Sequence, residues 1–186
     1  MYELEEVPTD ASRVFGKLPD GEGVVAVRSG YEEIRLFPDA LVLLRDFYLD
    51  RFPSYMRIAA ASSADTPRAV RIGRAAMGLL EVLPGVSLRE VFSKGWPEGF
   101  EGNLQIGRSP PLSSNKAETH FPLLRQETGV DYKDMIFFDD CIWGDHCGNV
   151  ERLCPGVVTQ RTPRGLRRGD WDSCISSFRT KLARQA

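Results

Sequence analysis

The 186-residue chain has no large excess of charge of either sign and no long run of hydrophobic residues. Its 24 lysine and arginine residues nearly balance 26 aspartate and glutamate residues, for a formal net charge of -2. This balance excludes the basic surface expected of a dedicated nucleic-acid-binding protein. No apolar run approaches the length that crosses a bilayer, and acidic residues follow Met1 where a secretory leader would be basic and then apolar. The sequence therefore predicts a soluble protein without a membrane span.

Cysteine is scarce, and all four cysteines lie in the last quarter of the chain, at Cys141, Cys147, Cys154 and Cys174. Disulfides among them would leave most of the chain unconnected, so we predict reduced thiols in an intracellular protein. The cytoplasm is the default location. A leader ahead of Met1 would instead direct the protein to a chloroplast or a mitochondrion.

Strand-like and helix-like patterns alternate after residue 38, which predicts an α/β fold with a doubly wound, Rossmann-like parallel sheet. We expect a single domain, with residues 1–37 as a flap region and residues 38–186 as the core. In the flap region, the apolar run 24–27 indicates a hairpin rather than a core strand. The predicted strands cover residues 56–61, 90–93, 135–138 and 156–159, and the predicted helices cover 39–50, 66–83, 116–128, 149–153 and the residues from 170 onward.

Two serines and a lysine lie before or at the start of predicted helices, at positions that suit phosphate binding. Ser62 and Ser63 lead into a helix start at Thr66 and Pro67, whose free backbone amides favour an anion. Lys116 stands near the start of a later predicted helix and carries an ammonium group that can neutralise a phosphoryl oxygen. Taken singly, such serines also occur in plain strand-to-helix turns, and a lone lysine is usually a surface residue.

Two adjacent acids, Asp139 and Asp140, follow the apolar strand 135–138. In an open α/β sheet this position lies at the edge where ligands bind. Adjacent carboxylates repel each other unless a positive charge intervenes, and oxygen ligands of this kind suit Mg²⁺, which keeps waters and a substrate phosphate in its shell. A solvated turn with a helix cap is the alternative interpretation.

Serine, lysine and paired acids in this order resemble motifs two, three and four of the haloacid dehalogenase superfamily, and most closely the eukaryotic magnesium-dependent phosphatase family. The resemblance spans about residues 24–170. The matching segments are residues 34–38, 59–62, 119–121, 128–130 and 135–140, with Asn149 following. The chain departs from the family pattern by one extra residue after Lys116 and by an insertion between Asp140 and Asn149.

The resemblance implies a phosphomonoester phosphatase that acts on phosphotyrosine or small phosphorylated metabolites. It implies that Ser62 binds the phosphoryl group, that Lys116 neutralises this group and braces the nucleophile, and that Asp139 and Asp140 hold Mg²⁺. Residues 20–35 of the flap and the excursion around residues 95–115 would then set substrate selectivity.

The first motif of that superfamily, an apolar strand ending Asp-x-Asp-x-Thr whose first aspartate attacks phosphorus, does not occur in the sequence. Without this carboxylate we expect no covalent phosphoryl transfer. Three explanations are open: Met1 is an internal residue of a longer protein, another chain supplies the strand, or the sheet closes without it. We favour the first. The alternative in a different functional class is a pseudophosphatase that serves as a binding or structural subunit of a larger assembly.

A zinc site in the insertion is a further hypothesis, with Cys141, Asp145, His146 and Cys147 as ligands. The residue types suit zinc, but the paired Cys-x-x-Cys spacing of most structural sites does not occur. The other histidine, His120, lies in an apolar helical stretch and is interpreted as a packed or capping residue.

Overall fold

A computed structural model describes residues 6–185 and has mixed α/β architecture, which agrees with the α/β class of the prediction. Residues 1–5, where the predicted flap region begins, and residue 186 lie outside the described part. The strands are β1 (Arg13–Leu18), β2 (Gly21–Ser29), β3 (Glu32–Arg35), β4 (Ala60–Ser62), β5 (Glu81–Leu83), β6 (Val86–Ser87), β7 (Leu104–Ile106), β8 (Ile136–Asp139) and β9 (Val158–Arg161). The helices are α1 (Pro38–Tyr48), α2 (Pro67–Leu79), α3 (Leu88–Ser93), α4 (His120–Thr128), α5 (His146–Leu153) and α6 (Arg168–Gln185).

The first three strands form an antiparallel sheet in the order β1-β2-β3. Val24 and Val27 on the middle strand are fully buried. They pack against Phe47 of α1, Ala76 of α2 and Leu80. The predicted hairpin is confirmed, since β2 pairs antiparallel with β1 across a tight turn. The prediction that residues 24–27 are not a core strand is wrong, because a three-stranded sheet with one apolar face must cover that face.

The parallel strands form two separate pairs. β4 pairs with β7, with Ala60 opposite Leu104, and β8 pairs with β9, with Ile136 opposite Val158. Within residues 6–185, no strand pairing joins β4 to β8. The continuous, doubly wound sheet therefore stays a prediction.

The buried hydrophobic residues also form two clusters, and the second lies beneath the ends of β4 and β8. The first, which we call the flap cluster, consists of Val24, Val27, Phe47, Ala76, Leu80, Val82, Leu88 and Val91. The second, which we call the site cluster, consists of Ala117, Phe121, Phe137, Cys147, Val150, Cys154 and Val157, with Ala61 of β4 packed against it. The two parallel strand pairs are thus connected by side-chain packing as well as by the chain.

Local signals explain the helix ends that the sequence predicts well. Thr66 accepts a hydrogen bond from the Ala69 amide (3.0 Å), and Pro67 occupies the first turn of α2. Gly129 ends α4 in the left-handed conformation, with φ of 69°, where glycine carries no steric penalty.

Several predicted elements differ from the structure. The predicted strand 56–61 is limited to Ala60–Ser62, and the predicted helix 116–128 begins at His120. The predicted strand 90–93 is helix α3, because Ser87 and Glu90 form a reciprocal capping box that starts a helix. The predicted helix 66–83 ends at Leu79, and the following residues form β5, which pairs with β6 across a turn at Gly85. Among the described residues, no helix is both long and apolar enough to cross a bilayer.

Candidate functional site

The ends of β4 and β7 are tied together by His120, the first residue of α4. Its Nε2 lies 3.0 Å from the carbonyl oxygen of Ser62 and 3.1 Å from that of Gly107. Because both partners are acceptors, Nε2 carries the proton and donates to them. The Gly107 amide also donates to the Ser62 carbonyl (2.8 Å), which extends the pairing of β4 with β7. His120 is thus a packed residue, as the sequence predicts, and it fixes the turn after β4.

One helical turn before His120, Lys116 reaches the end of β8. Its Nζ donates to Oδ2 of Asp139 at 2.5 Å. The lysine side chain is 10% exposed and the aspartate side chain 5%, so the ion pair is largely shielded from water. The ammonium group also lies 5.4 Å from the centroid of the Phe137 ring, within the range of a cation–π contact. The structure therefore brings together two of the residues that the sequence nominates 23 positions apart.

Asp139 accepts further hydrogen bonds besides the one from Lys116. The Cys141 amide donates to Oδ1 at 3.0 Å, and Nδ1 of His146 lies 3.1 Å from Oδ1 and 3.2 Å from Oδ2. Burial alone would raise the pKa of Asp139, but the hydrogen bond and positive charge of Lys116, together with the Cys141 amide, lower the pKa below its ordinary value. The site therefore holds a carboxylate anion at neutral pH.

The other residues predicted for the site are more accessible. Ser62 and Asp140 are exposed and Ser63 is half-buried, each at the carboxyl end of its strand or directly after it. Arg108 donates from Nε to the carbonyl oxygen of Ser63 at 2.8 Å. This contact places a guanidinium beside the turn that contains Ser62 and Ser63, which we call the serine turn. It depends on the pairing of β4 with β7, so no local sequence pattern predicts it.

Of the four residues in the zinc hypothesis, the structure places two next to Asp139 and gives the other two different contacts. Cys141 and His146 lie beside Asp139, and one ligand atom from each of the three residues lies within 4.8 Å of the others. Asp145 instead caps α5 by accepting a hydrogen bond from the Gly148 amide at 2.9 Å. Cys147 belongs to the buried site cluster, and burial raises the pKa of its thiol. The predicted ligand set is therefore wrong in two of its members.

The fold and site define an α/β protein in which a buried lysine–carboxylate pair lies at the end of one parallel strand pair and an exposed serine lies at the end of the other. A family model described as Acid Phosphatase matches residues 9–181, nearly the whole chain. The chain therefore belongs to this family of haloacid dehalogenase-like, magnesium-dependent phosphatases, which confirms the resemblance seen in the sequence. A search of the curated proteins found no match.

The buried histidine predicts a pH-dependent stability. Burial lowers the pKa of His120, and the nearby charge of Lys116 acts in the same direction, while the carbonyl oxygens of Ser62 and Gly107 oppose the shift. When folding lowers the pKa of a histidine, protonation favours the unfolded state. The native state therefore has its full stability above the unfolded pKa of about 6.5, and it loses stability as the pH falls towards the lower pKa of the folded protein. We therefore expect the thermal unfolding midpoint to fall between pH 7.5 and pH 5.

The matched variant for this measurement is His120→Gln, whose amide can donate to the same carbonyl oxygens but does not titrate. We expect its unfolding midpoint to be lower at pH 7.5 and to change less with pH than that of the unmodified protein. An equal pH dependence in the two proteins would show that another group is responsible.

Proposed function

We propose that this chain is the scaffold of a magnesium-dependent phosphomonoester phosphatase and binds the phosphoryl group at the ends of β4 and β8. The observation that carries the proposal is the buried Lys116–Asp139 pair (2.5 Å) at that edge. Lys116 supplies the cation, and the accessible hydroxyls of Ser62 and Ser63 supply hydrogen-bond donors for phosphoryl oxygens. The family membership supports this assignment.

Asp139 and Asp140 are the proposed ligands of Mg²⁺. The low pKa of Asp139 keeps it anionic, and Asp140 is exposed to solvent beside it. Since Mg²⁺ usually binds proteins through one or two carboxylates and completes its shell with waters and phosphate oxygens, this pair fits the ion. Bound there, Mg²⁺ would offset the negative charge of a phosphate. Lys116, Ser62 and Ser63 would then orient the phosphoryl group.

The proposed substrates are phosphotyrosine or small phosphorylated metabolites. The proposal follows the family resemblance, and the flap and the residue 95–115 excursion are the proposed selectivity elements. Within the excursion, β7 and Arg108 lie next to the serine turn, which supports a role for this segment near the phosphate.

We further propose that residues 1–186 bind phosphate without turning over phosphate esters. The sequence contains one Asp-x-Asp, at Asp170 and Asp172, which lies on α6 rather than at the end of a strand. Asp170 accepts a hydrogen bond from the Arg167 amide at 3.1 Å, and Asp172 pairs with Arg168 at 3.3 Å. Because both acids lie on a helix and not at the end of a strand, they do not correspond to the nucleophile of the superfamily's first motif.

The separation of β4–β7 from β8–β9 supports the interpretation that an outside strand completes the site. Edge strands carry unpaired backbone groups that must be satisfied by another strand or by water. Of the three explanations for the lost motif, closure of the sheet is the one that the described strand pairing does not favour. We accordingly propose that a strand from a longer chain or from a partner completes the site.

Phosphate binding and turnover test the first part of the proposal. We expect calorimetry to detect binding of inorganic phosphate in the presence of Mg²⁺, and an aryl phosphate assay to detect no hydrolysis. Ser62→Ala should weaken phosphate binding about 2- to 10-fold, as expected for one hydrogen bond. Ser176→Ala, an exposed serine on α6, is the control and should bind phosphate normally. Equal binding by the two variants would remove Ser62 from the site.

A fusion distinguishes an incomplete phosphatase from a pseudophosphatase. An apolar strand ending Asp-x-Asp-x-Thr is joined ahead of Met1, and a matched fusion carries Asn in place of the first Asp. Turnover by the first fusion alone would support the phosphatase scaffold, because only the aspartate can attack phosphorus. If both fusions fold and bind phosphate but neither hydrolyses the ester, the pseudophosphatase alternative is the correct one.

A further inference from the structure

The insertion between β8 and α5 brings a thiol, an imidazole and a carboxylate to one point. The Cys141 amide donates to Oδ1 of Asp139 at 3.0 Å. This hydrogen bond closes a turn that brings Cys141 back beside the carboxylate. His146, the first residue of α5, has its Nδ1 3.1 Å from the same oxygen. One ligand atom from each of the three residues lies within 4.8 Å of the others.

The loop backbone at Gly144 lies close to the side chains of Cys141 and His146. A Cβ atom at this position would lie 3.5 Å from Sγ of Cys141 and 3.6 Å from Nε2 of His146. The loop backbone therefore lies against both side chains, which places sulfur and imidazole on the same side of the loop. Cys141 and His146 are half-buried whereas Asp139 is buried, so an ion could enter from the solvent side.

We propose that Asp139, Cys141 and His146 form a binding site for Zn²⁺ or a similar thiol-binding divalent metal ion. Tetrahedral zinc with sulfur, nitrogen and oxygen ligands requires ligand atoms roughly 3.3–3.6 Å apart, as its bond lengths of about 2.0–2.3 Å dictate. The cluster reaches this geometry if its widest separation contracts by about 1 Å. Three protein ligands leave a fourth position for water or an anion.

The ligand types separate this site from the proposed magnesium site, although both use Asp139. Sulfur and imidazole nitrogen favour zinc, cobalt and related ions, whereas Mg²⁺ prefers oxygen ligands. Binding requires the Cys141 thiol to release its proton to solvent, since the thiolate is the ligand, and it requires the ring nitrogen of His146 that binds the ion to carry no proton. Lys116 contacts Oδ2 of Asp139, and the Cys141 amide donates to Oδ1. The metal ion would therefore bind Oδ1 in place of its contact with Nδ1 of His146. The proposal does not depend on phosphatase activity.

Cobalt is the probe, because a Co²⁺–thiolate bond adds a charge-transfer absorption that oxygen and nitrogen ligands do not produce. We expect the unmodified chain to bind one equivalent of Co²⁺ with this absorption, and Zn²⁺ to displace it. Cys141→Ser should lose the absorption and weaken binding more than about 100-fold, beyond the cost of removing an outer-shell partner. Cys147→Ala, which changes a neighbouring cysteine that is not one of the three proposed metal ligands, is the matched control and should keep both the absorption and the affinity.

A second measurement uses the unmodified chain, so that it does not depend on the folding of a variant. Zn²⁺ should protect Cys141 from alkylation in a peptide-mapping experiment, while Mg²⁺ should not. The proposal is overturned if cobalt gives no thiolate absorption, if the absorption survives Cys141→Ser, or if Zn²⁺ leaves the alkylation of Cys141 unchanged. Phosphate binding measured on the same samples reports separately on the proposed function.

Discussion

Asp139→Asn should lower the free energy of unfolding by about 3–5 kcal/mol, the usual cost of removing one partner from a buried ion pair. The substitution keeps the shape of the side chain but removes its charge, which leaves the ammonium group of Lys116 unpaired at a position where its side chain is 10% exposed. Water cannot readily replace the lost carboxylate there, so the desolvation of the lysine is no longer offset. Urea denaturation, monitored by circular dichroism, measures the difference.

Asp140→Asn is the matched control, because it makes the same chemical change at the adjacent, exposed position. We expect it to alter the free energy of unfolding by no more than about 0.5 kcal/mol. The double variant Lys116→Met/Asp139→Leu removes both charges and should recover most of the lost stability, since buried ion pairs are often replaceable by apolar groups. Equal costs for the two single asparagine variants would mean that the Lys116–Asp139 pair does not stabilise the fold.

The parts of the fold that were predicted correctly depend on local chemistry. Thr66 and Pro67 start α2, and Gly129 ends α4, because capping and left-handed backbone are properties of a few neighbouring residues. The capping box of Ser87 and Glu90 is an equally local signal, and it would have identified α3 in place of the predicted strand.

The elements that were missed depend on partners far away in the chain. β7 lies in a stretch predicted as an irregular excursion, and its three residues become a strand because β4 lies alongside. The same pairing creates the contacts of Arg108 with Ser63 and of His120 with Gly107. Such contacts have no signature in sequence spacing, because they depend on tertiary structure.

In the candidate site too, some contacts were predicted from the sequence and others depend on the tertiary structure. The family resemblance nominated Lys116 and Asp139, and the structure places them in contact. The contact of His146 with Asp139 was missed, because the insertion that carries this histidine departs from the family pattern. The sequence shows that the insertion contains residues of types that bind metal ions. The path of the loop determines which of these residues come into contact.

Phe121→Ala should lower the free energy of unfolding by about 3–5 kcal/mol, the usual loss when a buried phenylalanine is truncated. The Phe121 side chain is 3% exposed and packs edge-on against Phe137, with ring centroids 5.0 Å apart and planes at 82°. Removing it leaves a cavity beneath the strand that carries Asp139, and it removes support from the ring over which Lys116 lies. We therefore expect weaker phosphate binding as well as lower stability, measured by calorimetry and urea denaturation.

Phe15→Ala on β1 is the control, since that ring is 69% exposed and its loss should cost no more than about 0.5 kcal/mol. Phe121→Leu keeps the cavity partly filled and should fall between the two alanine variants, because the cost of truncation grows with the volume left empty. If Phe121→Ala destabilised the protein no more than Phe15→Ala, the site cluster would not be a packed core. If it destabilised the protein but left phosphate binding intact, the packing beneath β8 would support the fold without positioning Lys116 and Asp139.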